Sequence, residues 1–159
     1  KVNRNFSGKF NYSTIFIFLL IIFSQITIGG FVSGMDAGQI YNSWPLMGTS
    51  FFPDDNEIIN IFKVSAFSNP SLVQFMHRNL AYLILFFYFF ILVKVYKKKL
   101  IKLFYPIKLI GGFLTLQIIL GILTLLNGAQ ILLSSMHQIS SIFLVSSCVY
   151  FLYLNSNTN

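Results

Sequence analysis

Four runs of mostly apolar residues, each about 20 residues long, set the terms on which this chain folds, because a helix rising about 1.5 Å per residue needs that length to cross the hydrocarbon of a bilayer. They read from about Thr14 to Gly34, Leu72 to Val93, Ile107 to Leu126 and Ile131 to Leu154. The chain is 159 residues long, 55% hydrophobic and only 9% charged, which is more apolar surface than one water-soluble core can hide. A soluble enzyme is thereby excluded. The pattern predicts an all-α membrane protein, one domain built as a four-transmembrane-helix bundle. The short connection Asn127-Gly128-Ala129-Gln130 makes the last two helices antiparallel neighbours.

A formal net charge of +7 invites nucleic acid as a partner until the basic residues are located along the chain. Lys1, Arg4 and Lys9 precede the first run, and Lys94, Lys97, Lys98, Lys99, Lys102 and Lys108 cluster between the second and third. Cytoplasmic segments retain Lys and Arg, so the charge marks orientation: both termini cytoplasmic, and a long outer loop between helices one and two. Lipid bilayer is the predicted partner, with no nucleic acid. That outer loop, Met35 to Asn69, holds all four acids, Asp36, Asp54, Asp55 and Glu57, against the single Lys63. Within it, Asp55 to Ala66 starts with acids suited to a helix N-terminus and spaces Ile58, Ile59, Ile61, Phe62 and Ala66 as one face of an interfacial helix. A solvated loop is the competing reading. Trp44 suits the headgroup level. The lone Cys148 allows neither an internal disulfide nor a cysteine metal cage. The chain begins at Lys1 without a signal segment and reads as a piece of a longer protein.

A helix-pair repeat runs through the sequence. The first run carries Gln25-Ile26 and then Gly29, the third Gln117-Ile118 and then Gly121; the second carries Met76-His77-Arg78 and the fourth Met136-His137-Gln138. The extra length of the first copy falls in the outer loop. Repeats of this kind in membrane proteins often place a ligand between the copies. Asn69-Pro70 reads as a helix start, and His77 and His137 each fall about 10 Å below the outer boundary, on helices running the same way.

A single intramembrane histidine can serve simply as a polar group bonded across a bundle. Two at one depth, with no carboxylate in any run, suit axial ligation of a haem iron, whereas zinc needs further donors that are missing at that level. Ser134, Ser140 and Ser141 beside His137 are small enough to leave room for a flat macrocycle. Arg78 is the only arginine within a run, and it needs a partner: a haem propionate, or Asp36 just beyond the first helix. Gly29, Gly30, Gly34, Gly111, Gly112 and Gly121 suit helix packing more than cofactor clearance, with Gly30 and Gly34 a small-xxx-small pair. The sequence leaves open whether Gln25 and Gln117 touch a cofactor or only join helices, with joining helices the slightly favoured reading. The Phe86, Phe87, Phe89 and Phe90 face is expected to meet lipid.

The stretch Gly30 to Met47, containing Asp36-Ala37-Gly38, Tyr41-Asn42 and Trp44-Pro45, together with Asn69 to Arg78, Gln117 to Leu126 and Met136-His137-Gln138, resembles the C-terminal half of the haem A synthase family. The likeness covers roughly Ile15 to Tyr153. It implies an eight-helix enzyme of the bacterial plasma membrane or mitochondrial inner membrane, made of two similar four-helix halves. That enzyme is an oxidoreductase converting a methyl group of haem O to the formyl group of haem A for terminal oxidases. In the family, the N-terminal half holds the substrate and carries a glutamate three residues before a helix histidine. The C-terminal half holds haem b between two histidines, which here match His77 and His137. Gln74 stands where that glutamate would be, and a neutral amide can hydrogen-bond near a haem but cannot act as a carboxylate base. The resemblance therefore marks this as the cofactor half. It implies His77 and His137 as iron ligands, Arg78 and Gln74 as haem-binding residues, and no catalytic residue in this half. The fragment alone is then not expected to turn over, since iron with two imidazoles has no open position. Haem O would be met through the missing half. Some relatives with four helices work as pairs, so a homo-oligomer stays open, although neither histidine has the glutamate. Two other readings remain: a stand-alone four-helix b-type cytochrome serving as electron-transfer subunit or membrane anchor, and a haem-free membrane assembly factor.

Overall fold

In the computed structural model, which describes residues 9–157, the four apolar runs form four helices: α1 (Tyr12–Gly34), α2 (Pro70–Lys97), α3 (Phe104–Leu126) and α4 (Ile131–Ser156). Each is long and apolar enough to cross a membrane, and the described residues form a multi-pass bundle without strands. Lys1 and Arg4, which bear on orientation, lie outside the described residues.

The helix starts follow from local chemistry. Asn11 accepts the Ser13 N–H at 2.9 Å, and Asn69 accepts the Leu72 N–H at 3.1 Å ahead of Pro70, each cap contributing about 1 kcal/mol. α2 runs about a turn past its predicted end at Val93. Lys94 and Lys97 occupy its last turn, where cations meet the partial negative charge of the helix terminus. α3 begins before Pro106 rather than after it, since a proline in the first turn forfeits no helical N–H bond. Between α3 and α4 the chain reverses through Gly128 (φ 64°) and Ala129 (φ 55°).

The interfacial helix predicted over Asp55 to Ala66 does not form. Two 3₁₀ turns, Ile58–Phe62 and Val64–Ser68, stand in its place, separated by an extended Lys63, and neither has a side-chain cap. The acids expected to start that helix are engaged elsewhere. Asp54 accepts from the Thr49 and Ser50 hydroxyls, and Asp55 from Tyr41 and Ser71. Ile58, Ile59, Phe62 and Val64 are left exposed. The rest of the loop is no loose solvated connection: Ala37, Met47 and Ala66 are buried, and Asn42 donates to the Leu125 carbonyl at 2.9 Å, tying the loop to the end of α3.

The apolar core fills the half of the bundle away from the long loop. Ile15, Phe18 and Ile22 of α1 meet Ile84, Ile91 and Val95 of α2, Ile107, Ile110 and Leu114 of α3, and Leu144, Cys148 and Phe151 of α4. Asn155 closes this end: its side chain accepts the Phe10 N–H at 2.7 Å and donates to the Phe10 carbonyl at 3.0 Å, joining the start of α1 to the end of α4. Phe86, Phe89 and Phe90 face outward as expected for a lipid surface, whereas Phe87 turns inward against Phe18. Gly30 and Gly34, expected to pack helices, have open space beside them. Gly111 does pack: a Cβ there would collide with the Tyr88 hydroxyl.

Candidate functional site

Toward the loop the apolar core ends and polar residues take over the interior. Gln25, His77, Gln117, His137 and Ser140, one or two from each helix, meet there. His77 and His137 lie about two turns from the loop-side ends of α2 and α4, and their ring centroids are 6.5 Å apart with the planes at 77°. Two metal–nitrogen bonds of about 2 Å, plus about 1.1 Å from each ligating nitrogen to its ring centre, span roughly 6 Å, so this spacing fits two imidazoles on one metal ion. Both Nδ1 atoms are buried without a protein partner. Among the described residues no cluster of three or more His, Cys, Asp or Glu exists, so a tetrahedral zinc cage lacks its donors. A metal whose other positions are filled by its own macrocycle needs only the two.

Each histidine is held from the neighbouring helix by a glutamine bonded to its backbone carbonyl. The Gln25 amide donates to the His77 carbonyl at 3.0 Å and lies 3.2 Å from its Nε2; the Gln117 amide donates to the His137 carbonyl at 2.9 Å and to the Ser140 hydroxyl at 2.6 Å. A Cβ on Gly29 would come within 3.1 Å of His77 Cε1, and one on Gly121 within 3.2 Å of His137 Cε1. The glutamines thus join helices. The role of these two glycines was missed. Their signal was present in the repeat, since Gln-x-x-x-Gly occurs once on α1 and once on α3. Ser134 and Ser141 bond to nearby backbone carbonyls, while Ser140 also donates to the His137 carbonyl.

Arg78 and Gln74 sit one turn apart on α2 and grip the loop. The guanidinium donates to the carbonyls of Tyr41 (2.9 Å), Ser43 (2.9 Å) and Leu46 (3.2 Å), and the Gln74 amide donates to the same Tyr41 carbonyl at 3.0 Å. Backbone carbonyls thus take the place of the Asp36 ion pair offered by sequence, and they explain how an arginine is accommodated in an apolar helix. Gln74 is only 3% exposed, and its Oε1 and the Arg78 Nε are buried without partners. Above them, Asp55 is pushed up by burial. Donation from Ser71 and Tyr41 outweighs that and holds its carboxyl below the usual range. Burial, then the Asp55 contact, raises the Tyr41 phenol. Two surface hollows, of about 330 and about 440 Å³, lie elsewhere, and neither is lined by a histidine.

Four membrane helices with two neighbouring imidazoles in the interior define a multi-pass membrane protein with a paired-histidine interior. Its sequence places it further. The profile of the cytochrome oxidase assembly protein family matches residues 3–149, and the chain belongs to that family. It is similar to the haem A synthase of Pelagibacter ubique, 42% identical over 158 residues that make up 97% of this chain and 45% of that protein. The haem A synthase of Wolbachia pipientis is 38% identical over 89% of this chain and 39% of its own length. That of Rickettsia felis is 36% identical over 84% and 40%. The chain therefore spans less than half the length of these curated relatives. No solved structure matches it.

Proposed function

We propose that this chain is the haem b-binding, C-terminal half of a haem A synthase, an oxidoreductase that converts the haem O methyl group to the formyl group of haem A for terminal oxidase biogenesis. The observation that carries the proposal is the pair His77 and His137, with ring centres 6.5 Å apart and no third protein donor among the described residues. The two imidazoles would hold the iron, and a haem b held by two histidines would supply electron transfer. Arg78 and Gln74 hold the loop over the pair. The buried Arg78 Nε–H, which has no protein partner, is the donor this chain offers to a propionate. All four acids lie in the loop, so no carboxylate base stands beside either histidine and oxidation belongs to the remaining half of the relatives' length. The loop faces the outside and the Lys-rich connection the cytoplasm, in a bacterial plasma membrane or mitochondrial inner membrane.

The test is optical. Purified chain in detergent, supplied with haem, is expected to give a low-spin b-type spectrum at one haem per chain. His77→Ala and His137→Ala should each turn it high-spin or lose the haem. No Soret band in the wild type, or an unaltered low-spin spectrum in both variants, would refute the assignment.

A further inference from the structure

The two histidines are seated by the same device used twice. In a helix, a residue's backbone carbonyl already accepts the N–H four residues on. At His77 and at His137 that carbonyl also takes the side-chain amide of a glutamine on the neighbouring helix, at 3.0 and 2.9 Å, and at His137 the Ser140 hydroxyl as well. Four residues beyond each glutamine, one turn along the same face, stands a glycine whose missing side chain leaves the space the imidazole occupies. The amide fixes where the histidine's backbone lies against its neighbour, and the glycine lets the ring lie against that neighbour's backbone. A methyl group at Gly29 or Gly121 would meet the ring at 3.1 or 3.2 Å, forcing it to move by a few tenths of an ångström. A methyl therefore uses up much of the roughly 0.5 Å within which a functional constellation must be held, and a longer side chain exceeds it.

We propose that Gln25 with Gly29, and Gln117 with Gly121, are positioning residues that set the orientation of the His77 and His137 rings for metal ligation. The role rests on the haem reading above and deepens it. The two copies are unequal. The Gln117 amide is shared between the His137 carbonyl and the Ser140 hydroxyl, leaving the ring nitrogens alone, whereas the Gln25 amide also lies 3.2 Å from His77 Nε2. An amide N–H at that nitrogen uses the lone pair a metal requires. The His137 side is therefore ready for a ligand, and the His77 side exchanges one amide contact on binding while keeping the amide bond to its carbonyl.

The fold supplies its own controls, because Gly30 and Gly112 lie on the same two helices with open space where a Cβ would be. Gly29→Leu and Gly121→Leu are expected to weaken haem retention about tenfold or more and convert the spectrum toward high-spin, in the range seen when groups orienting metal ligands are removed. Gly30→Leu and Gly112→Leu should match wild type. Gln25→Met and Gln117→Met, which add no bulk, should keep helical content by circular dichroism but shift the low-spin electron paramagnetic resonance signature. In haem-free chain with labelled histidine, the Cε1–H resonance of His77 should move in Gly29→Ala and Gln25→Met and stay in place in Gly30→Ala. Retention of the wild-type spectrum by both ring-facing leucine variants, or equal loss in all four, would overturn the proposal while leaving the haem reading intact. Absence of haem binding in the wild type would remove the haem reading, and unmoved histidine resonances would separately remove the positioning role.

Discussion

Replacing Arg78 by Met should release the loop that covers the histidine pair. The guanidinium makes three bonds to loop carbonyls, at 2.9, 2.9 and 3.2 Å, and the longest, to Leu46, lies in an exposed setting. Hydrogen bonds to a charged group contribute about 1.5–3 kcal/mol each, so the two part-buried bonds give roughly 3–6 kcal/mol. Freeing a long side chain returns about 2 kcal/mol of rotamer entropy, which leaves a net loss of about 1–4 kcal/mol. Since about 1.4 kcal/mol is a factor of ten, the opening equilibrium of the loop should rise roughly 5- to 700-fold. The assay is amide hydrogen exchange on peptides covering residues 41–50. The Met47 N–H, bonded to the Ser50 carbonyl at 2.7 Å, is a suitable reporter. Arg78→Lys should fall between wild type and Arg78→Met, because one ammonium cannot span the fork of acceptors. Exchange at Met47 unchanged in Arg78→Met would show that the loop is held by its own contacts and that the arginine does not clamp it.

At the other end of the bundle, Asn155→Leu removes both bonds to Phe10 and strands a buried N–H and carbonyl, a loss of about 2–4 kcal/mol that thermal unfolding in detergent should register; an unchanged midpoint would contradict it. Gly111→Ala should destabilise by about 1–3 kcal/mol through collision with the Tyr88 hydroxyl, and Tyr88→Phe in that background should recover part of the loss; without such recovery the collision is not the cause. The loop should loosen in acid. The Asp55 carboxyl is lowered in the folded protein, so its contribution is present above the unfolded aspartate range, about pH 4, and is lost as pH falls through the lower folded value. Loop exchange measured from neutral pH downward should show this step, and Asp55→Asn should reduce it to what Asp54, lowered by its own bonds from Ser50 and Thr49, contributes.

The number, length and pairing of the helices were legible in the sequence because membrane burial imposes one rule on every turn: about 20 apolar residues, with backbone bonds satisfied internally. Asn69-Pro70 started α2 as its chemistry required, and the histidines came to one level because both copies of the repeat count from the same boundary. Hydrophobic spacing failed in the loop. The acids over Asp54 and Asp55 resemble a helix start only until tertiary partners, Tyr41 and Ser71 among them, claim their oxygens, and the segment then settles into two 3₁₀ turns. Nor does composition tell one glycine from another. Gly29 and Gly30 are neighbours on α1, yet only Gly29 faces an imidazole, a distinction fixed by how α1 is rotated against α2. The bilayer, acting on each helix alone, made the bundle readable residue by residue. The carbonyls that receive Arg78 and the ring each glycine admits exist only once separate segments have packed together, because close-range sterics and hydrogen bonds depend on ångström-scale placement that no one-dimensional pattern carries.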